Sequence, residues 1–264
     1  MRGALAGAFF VVVLAVGGYA VLGHASNGQA ALSRFAVGAT GDDGPTITIV
    51  SGTPKVGKSS GSSALPGARR VAKLFKGIHQ KGLVLGRSKA RVTLIEYVDL
   101  QCPACQEFEA KVVLPLVKKY VRRGKLEIKM QPWNILDANV GGHDSLRGQK
   151  ATIAAARQNK AFNFAEVLYD NQGVEGTGWM NDAMISKIAA SVDRLRPYTL
   201  AKDANGGATR RVVKSIDHWG KTHPRQMLGT PTIYLVRGHG RPKYYETGVP
   251  KLGKLEAAIN ALLK

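Results

Sequence analysis

VTLIEYVDLQCPAC, residues 92–105, is the stretch on which the fold turns. Val92, Thr93, Leu94, Ile95, Tyr97 and Val98 make an apolar, β-branched run that reads as a buried strand. It leads into Cys102-Pro103-Ala104-Cys105. Beyond the motif, Phe108, Val112, Val113, Leu116, Val117 and Tyr120 recur at spacings of an amphipathic helix. Two thiols two residues apart, on the first turn of a helix that follows a strand, form a redox-active pair. The free N–H groups and partial positive charge of the helix N-terminus favour a thiolate on the first cysteine. Pro103 fits that first turn, where its missing N–H costs no bond. A thiolate pKa in such a place falls from ~8.5 into roughly the 3.5–7.5 range.

These are the only two cysteines in the chain. A disulfide framework would need several pairs. Zinc would need histidines from far away, His218 and His223 being the nearest candidates, so no metal site is expected. A purely structural disulfide over four residues would add little stability.

With 264 residues and 44% hydrophobic content, the chain can bury the core of one domain with an insertion. Its net charge is +20. Four basic and two acidic residues precede position 67, so +18 of that charge lies beyond it. A basic domain can face nucleic acid, anionic lipid or anionic wall polymer. No nucleic-acid motif and no aromatic platform accompany the charge, which reads as a solvated basic surface beside an anionic membrane or wall.

After Met1-Arg2-Gly3, residues 4–23 carry no charge. Twenty residues at ~1.5 Å each span about 30 Å, enough to cross a bilayer. Alternatively, Gly23-His24-Ala25 before Ser26 is a small-residue cleavage site of a secretory signal. The length of the apolar run favours an uncleaved anchor at residues 1–25. Either way the rest of the chain is exported, to a compartment where dithiols can act as oxidants. Residues 26–66 are rich in Gly, Ser, Ala and Thr and read as a flexible tether. Within them, GTPKVGKS at 52–59 matches the phosphate-binding P-loop pattern. A P-loop needs a helix directly after it. Ser60-Gly61-Ser62-Ser63 and then Pro66 follow instead, which argues against nucleotide binding.

Residues 67–82 read as a short basic helix and turn, and 83–86 as a short strand or extended lead-in. Pro115 is expected to kink the helix after the cysteines. Residues 125–131 alternate as a strand does, and 137–221 carry helical patterns around 146–159, 162–172, 180–192 and 208–219. Strands at 232–236 and 243–247 and a closing helix at 252–263 complete the chain. The order β-α-β, helices, β-β-α describes an α/β protein of thioredoxin-like fold: a central mixed sheet flanked by helices, with a helical insertion at about 137–221 in a domain spanning 67–264.

The chain resembles the DsbA-type thiol–disulfide oxidoreductases, in particular their membrane-anchored, Gram-positive-style branch. The resemblance covers about residues 74–264. It rests on LFKGIHQKGLVLG, VTLIEYVDLQCPACQEFEAKVVLPLVKKY, the helical block and GTPTIYLV, with CPAC and Gly229-Thr230-Pro231-Thr232 together the specific pair of motifs. It implies that Cys102 is the exposed nucleophile, Cys105 the inward-facing resolving cysteine, and Pro103 and Ala104 the dipeptide that tunes the redox potential. It implies a cis Pro231 facing the pair, in a loop where Thr230 and Pro231 meet the substrate backbone. It also places a buried acid at Glu96, whose raised pKa would let it pass protons to and from Cys105. The family's lysine near that acid has no clean counterpart here: Lys125 and Lys129 flank its position, and Glu127 stands between them. The Pro-Ala dipeptide differs from the Pro-His of the strongly oxidising enterobacterial form, so the potential does not carry over. His218 and His223, with Trp219 between them, precede the cis-proline loop and read as helix-end or surface groups, with a role in holding the thiolate as the second reading. Asp99, three before Cys102, reads as a turn or cap residue, with an electrostatic influence on the site as the second reading.

The expected function is thiol–disulfide exchange that introduces disulfides into reduced or misoxidised secreted proteins, with no cofactor besides the Cys102–Cys105 disulfide. The family implies a membrane quinone-linked reoxidant of the DsbB or vitamin K epoxide reductase type. The chain reads as a monomer that binds no nucleic acid. Rival readings are a reductase or isomerase of the same fold, and a non-enzymatic anchored chaperone.

Overall fold

The computed structural model describes residues 44–223 and 229–264. The expected anchor at residues 1–25 and the tether up to residue 43 lie outside the described residues. Among the described residues no helix is long and apolar enough to cross a membrane.

A helix α1 (Ala68–Phe75) leads into two short strands, β1 (Gln80–Lys81) and β2 (Val84–Leu85), and then into β3 (Val92–Val98). The strand β3 sits inside a sheet of order β1-β2-β4-β3-β5-β6, with β4 at Leu126–Pro132, β5 at Thr232–Arg237 and β6 at Lys243–Thr247. It pairs parallel with β4 and antiparallel with β5. Its near-continuous apolar run follows from that position, because both of its faces are covered. Leu94 and Val98 enter the main core together with Cys102, Cys105 and Phe108. Tyr97 points the other way, into a second cluster with Trp133, Ile216 and Tyr234. Alternation along the strand puts Glu96 on the face of Leu94 and Val98.

The crossover from β3 to β4 is the helix that starts at the motif. It runs as α2 (Pro103–Phe108), a π-helical stretch Glu109–Val113, α3 (Leu114–Leu116) and a second π-helical stretch Val117–Val121. The irregularity that Pro115 demands, having no N–H for the ladder, is thus accompanied by widened turns on both sides.

The helical block comprises α4 (Asp137–Val140), α5 (Asp144–Arg157), α6 (Ala161–Tyr169), α7 (Asp182–Ser191), α8 (Pro197–Ala204) and α9 (Gly207–Thr222), and α10 (Leu252–Leu263) closes the chain. Helix α8 was not expected from the sequence. Its eight residues between Arg196 and Asn205 are too few to establish a period. Helix α5 is buried on nearly all sides by its neighbours, with Ala151, Thr152, Ala154 and Ala155 inaccessible. Small residues there let the flanking helices approach closely.

Residues 44–66 correct the reading of a tether reaching to 66. They form an irregular strap on the helical block. Ile47 is 1% exposed, and Ile49 and Ser59 are buried. The strap's amides are satisfied by side chains of the block: Ile47 N–H donates to Asn205 Oδ1 at 3.0 Å, Val50 N–H to Ser186 Oγ at 3.1 Å, and Ser59 N–H to Asp193 Oδ1 at 2.6 Å. A segment bonded in this way needs neither helical nor strand periodicity, so its packing left no pattern to read. The P-loop lookalike lies in it. Its amides are already engaged, Gly57 N–H with Leu195 O and Lys58 N–H with Ala190 O, and turns follow Ser59. Gly57 lies so close to the block that a Cβ would stand 2.3 Å from Val192 O.

Candidate active site

Cys102 is the residue just before α2, in extended backbone, and Pro103 is the first residue of the helix. The carbonyl of Cys102 accepts from the N–H groups of Cys105 and Gln106, both at 3.1 Å, which closes the first turn over the motif. Both cysteines are free thiols here. Cys105 is fully buried, while Cys102 is 7% exposed.

The peptide between Thr230 and Pro231 is cis. It brings Thr230 from 128 positions away to Cys102, whose Sγ lies 3.5 Å from the Thr230 carbonyl oxygen. That carbonyl can accept from the thiol. Among the described residues the buried Thr230 hydroxyl has no other partner, and it lies near both sulfurs, so it can donate to a thiolate on either.

The two sulfurs differ sharply. The Cys102 thiol is lowered from 9.0 to about 6, first by a hydrogen bond from Cys105, then by Thr230 and the N–H groups of Cys105 and Ala104, against the opposing effect of burial. Burial pushes the Cys105 thiol well up, and its contact with Cys102 adds to this. One sulfur is therefore held as an anion while its neighbour keeps a proton.

Glu96 is fully buried, and its pKa is raised to about 8 by burial and then by Glu166. Across the sheet it pairs with Met130 on β4 and Ile233 on β5. Lys129 pairs instead with Ile95 on the opposite face, and Glu127 bonds Thr93, so neither Lys129 nor Glu127 stands beside Glu96 as the family's lysine would. Neither His218 nor His223 is joined to the cysteines. His223 stacks on Trp219 at 4.1 Å between ring centroids and bonds its carbonyl, and His218 is exposed.

Of the pair's neighbours, Asp99 was read from the sequence as a turn or cap residue, while Gln172, Glu109 and Glu166 were not singled out. Gln172 donates to the carbonyls of Leu100 and Cys102 at 3.0 and 3.2 Å. Asp99 is completely buried and accepts from the N–H groups of Gln101 and Leu136 and from the Ser145 hydroxyl, which ties the loop before Cys102 to the helical block. Burial nonetheless lifts its pKa to about 7. Glu109 and Glu166 are buried acids in apolar helices. Each is an acid inside a run otherwise apolar on that side, FEAKVVLPL and AFNFAEVLY, and that signal was present in the sequence.

Among the described residues no group of three or more His, Cys, Asp or Glu side chains is placed to hold a metal ion.

The thioredoxin family model matches residues 79–239, which span the cysteine pair, the helical block and β5. The chain is similar to disulfide bond formation protein D of Bacillus subtilis, 24% identical over 159 residues that cover 58% of this chain and 66% of that one. A Bacillus cereus protein designated a probable disulfide bond formation protein D is also 24% identical, over 164 residues, 61% of this chain and 72% of that one. Among solved structures, oxidised BdbD from Bacillus subtilis superposes with a TM-score of 0.58 at 20% identity, covering 72% of this chain and 94% of the other. The α-DsbA1 of Wolbachia pipientis gives 0.54 at 18% identity, covering 69% and 90%. The chain belongs to the thioredoxin family, as a DsbA-like thiol–disulfide oxidoreductase.

Proposed function

We propose that this protein is exported and introduces disulfides into secreted proteins through the Cys102–Cys105 pair. The observation that carries the reading is the asymmetry of the pair: a thiol lowered to about 6 at the helix start, beside one raised by burial. A substrate thiolate attacks Cys102 Sγ of the oxidised pair, and Cys105 leaves with the bonding electrons and takes up a proton. A second substrate thiolate then attacks the substrate sulfur of the mixed disulfide. Cys102 departs as the stabilised thiolate, the substrate leaves oxidised and the pair is left reduced. Thr230 supports both steps, since its hydroxyl can donate to whichever sulfur carries the charge. The cis peptide at Pro231 leaves the Thr230 backbone beside Cys102, where an extended substrate can pair with it. Pro103 and Ala104 set the first turn and hence the donors around Cys102. Glu96 serves as the buried acid that supplies and removes the Cys105 proton. A membrane quinone-linked partner restores the disulfide, and residues 1–25 hold the monomeric domain at the membrane.

At pH 7 a thiol at about 6 rather than 9 stabilises the reduced pair by about 1.4 kcal/mol, or about 30 mV. Roughly 150 mV separates thioredoxin-like from DsbA-like potentials, so thiolate stabilisation supplies part of the difference and the rest must come from strain and solvation of the pair. The equilibrium potential of residues 44–264 against glutathione tests the reading. A value near −120 mV is expected of a disulfide-forming enzyme, whereas one near −270 mV would make the protein a reductase of the same fold.

A further inference from the structure

Three carboxyl groups share the interior with Cys105. Glu96 on β3 is 0% exposed, Glu109 in the π-helical stretch after α2 is 1%, and Glu166 on α6 is 3%. Glu109 lies four residues beyond Cys105, on the same side of the helix. Glu96 projects from the sheet face on which that helix packs. The buried phenol of Tyr169 is close enough to feel the charges of Cys105, Glu109, Asp99 and Glu96, so these groups occupy one neighbourhood.

No N–H or O–H donor among the described residues reaches either oxygen of Glu96 or Glu109. Glu109 and Glu166 act strongly on each other's protons, an interaction that is favourable only when one of the two carboxyls is protonated. Buried acids of like charge cannot all ionise, so the cluster keeps protons that exposed carboxyls would lose. Each of the three is raised above its ordinary value, chiefly by burial. The cation that meets the cluster is Arg70 on α1, 3.8 Å from Glu166, with a side chain 45% exposed and a second bond of 2.6 Å to Asp170.

We propose that Glu166 and Arg70 extend the acid at Glu96 into a proton path, running from Cys105 past Glu96 and Glu109 to Glu166 and reaching water at Arg70. The proposal rests on Cys105 being the resolving thiol. When a substrate thiolate attacks Cys102, the S–S bond breaks and its electron pair goes to Cys105. A carboxyl of the cluster gives its proton to that buried thiolate. The carboxylate left behind is reprotonated from water through Glu166, whose charged form Arg70 stabilises in passing. Reoxidation runs the same path outward: the cluster takes the Cys105 proton as its sulfur attacks the mixed disulfide. No additional oxidant or reductant is needed. Glu166 and Arg70 touch neither sulfur and are positioning residues acting through Glu96.

Single-turnover reduction of the oxidised full-length protein by a cysteine-containing peptide, followed from pH 5 to 9, tests the path. Glu166→Gln and Arg70→Met should slow the step about tenfold near neutral pH, a modest part of the ~10²–10⁴ that positioned proton transfer contributes, and shift its pH profile. The Cys102 thiolate absorbance should titrate as in the unsubstituted protein, and Arg70→Lys should recover the profile. Glu166→Gln preserves volume at a buried site. Should it fail to fold, Arg70→Met at its half-exposed position carries the same test. Profiles superimposable on the unsubstituted protein would overturn the path. So would a matching shift of the Cys102 titration, which would make the effect one on the nucleophile. Absence of exchange in the unsubstituted protein would instead remove the reading of the pair itself, and the path with it.

Discussion

Cys102 and Cys105 carry the same side chain on the same helical turn, yet their protons are held very differently. Donors converge on Cys102, whereas Cys105 lies in the apolar core. Thr230 is the member of that donor set contributed by a distant segment. Thr230→Val removes the hydroxyl and keeps the shape, so the Cys102 thiolate, followed by its absorbance near 240 nm, should titrate above about 6 by roughly half a unit to one unit. An unchanged midpoint would assign the depression to the helix and Cys105 alone. Glu96 gives a prediction of opposite sign. Its folded-state pKa of about 8 lies above the ordinary 4.5. Between those values the folded protein keeps a proton that the unfolded chain releases, so stability falls as pH rises from about 4.5 to 8. Glu96→Gln abolishes that slope, and urea denaturation should find the variant more stable at pH 8 by roughly 1–3 kcal/mol, with little gain at pH 5. Cys102 and Cys105 were legible because their spacing announces them, and Pro231 because Gly229-Thr230-Pro231-Thr232 resembles the family's loop. Glu109 and Glu166 show in the sequence only as acids inside apolar runs, because their significance comes from meeting one another across elements 57 positions apart.

The elements around the site were legible in proportion to their periodicity. Strands β3, β4, β5 and β6 and helix α10 stand within a residue or so of where alternation and spacing put them. Helix α8 and the strap at 44–66 do not, since one is short and the other takes its hydrogen bonds from side chains. The strap contributes real packing: Ile47 is 1% exposed and joins the main core. Ile47→Ala should therefore cost about 2–4 kcal/mol in urea denaturation of residues 44–264. A cost below about 0.5 kcal/mol would return the strap to the status of a tether.

At the scale of the whole molecule, +18 of the net +20 lies beyond position 66, while the acids around the pair are turned inward. A surface of that sign next to an anionic bilayer gains roughly 1 kcal/mol per basic residue brought close, screened over ~10 Å at 0.1 M salt. Residues 44–264 should then partition onto vesicles rich in phosphatidylglycerol at 0.1 M salt and be released by about 1 M. Retention that ignores salt would speak against the basic surface as its cause. The sequence by itself determined the strand–CPAC–helix unit and the thioredoxin-like order of elements, because spacing and period are local properties that survive without coordinates, while the Thr230-Pro231 loop was legible through the resemblance carried by Gly229-Thr230-Pro231-Thr232. Only the tertiary structure decided the company that the cysteines keep. Burial and charge interaction depend on distances through space, and the chain brings Glu96, Glu109, Glu166 and Arg70 together only when α1 and α6 close over the sheet.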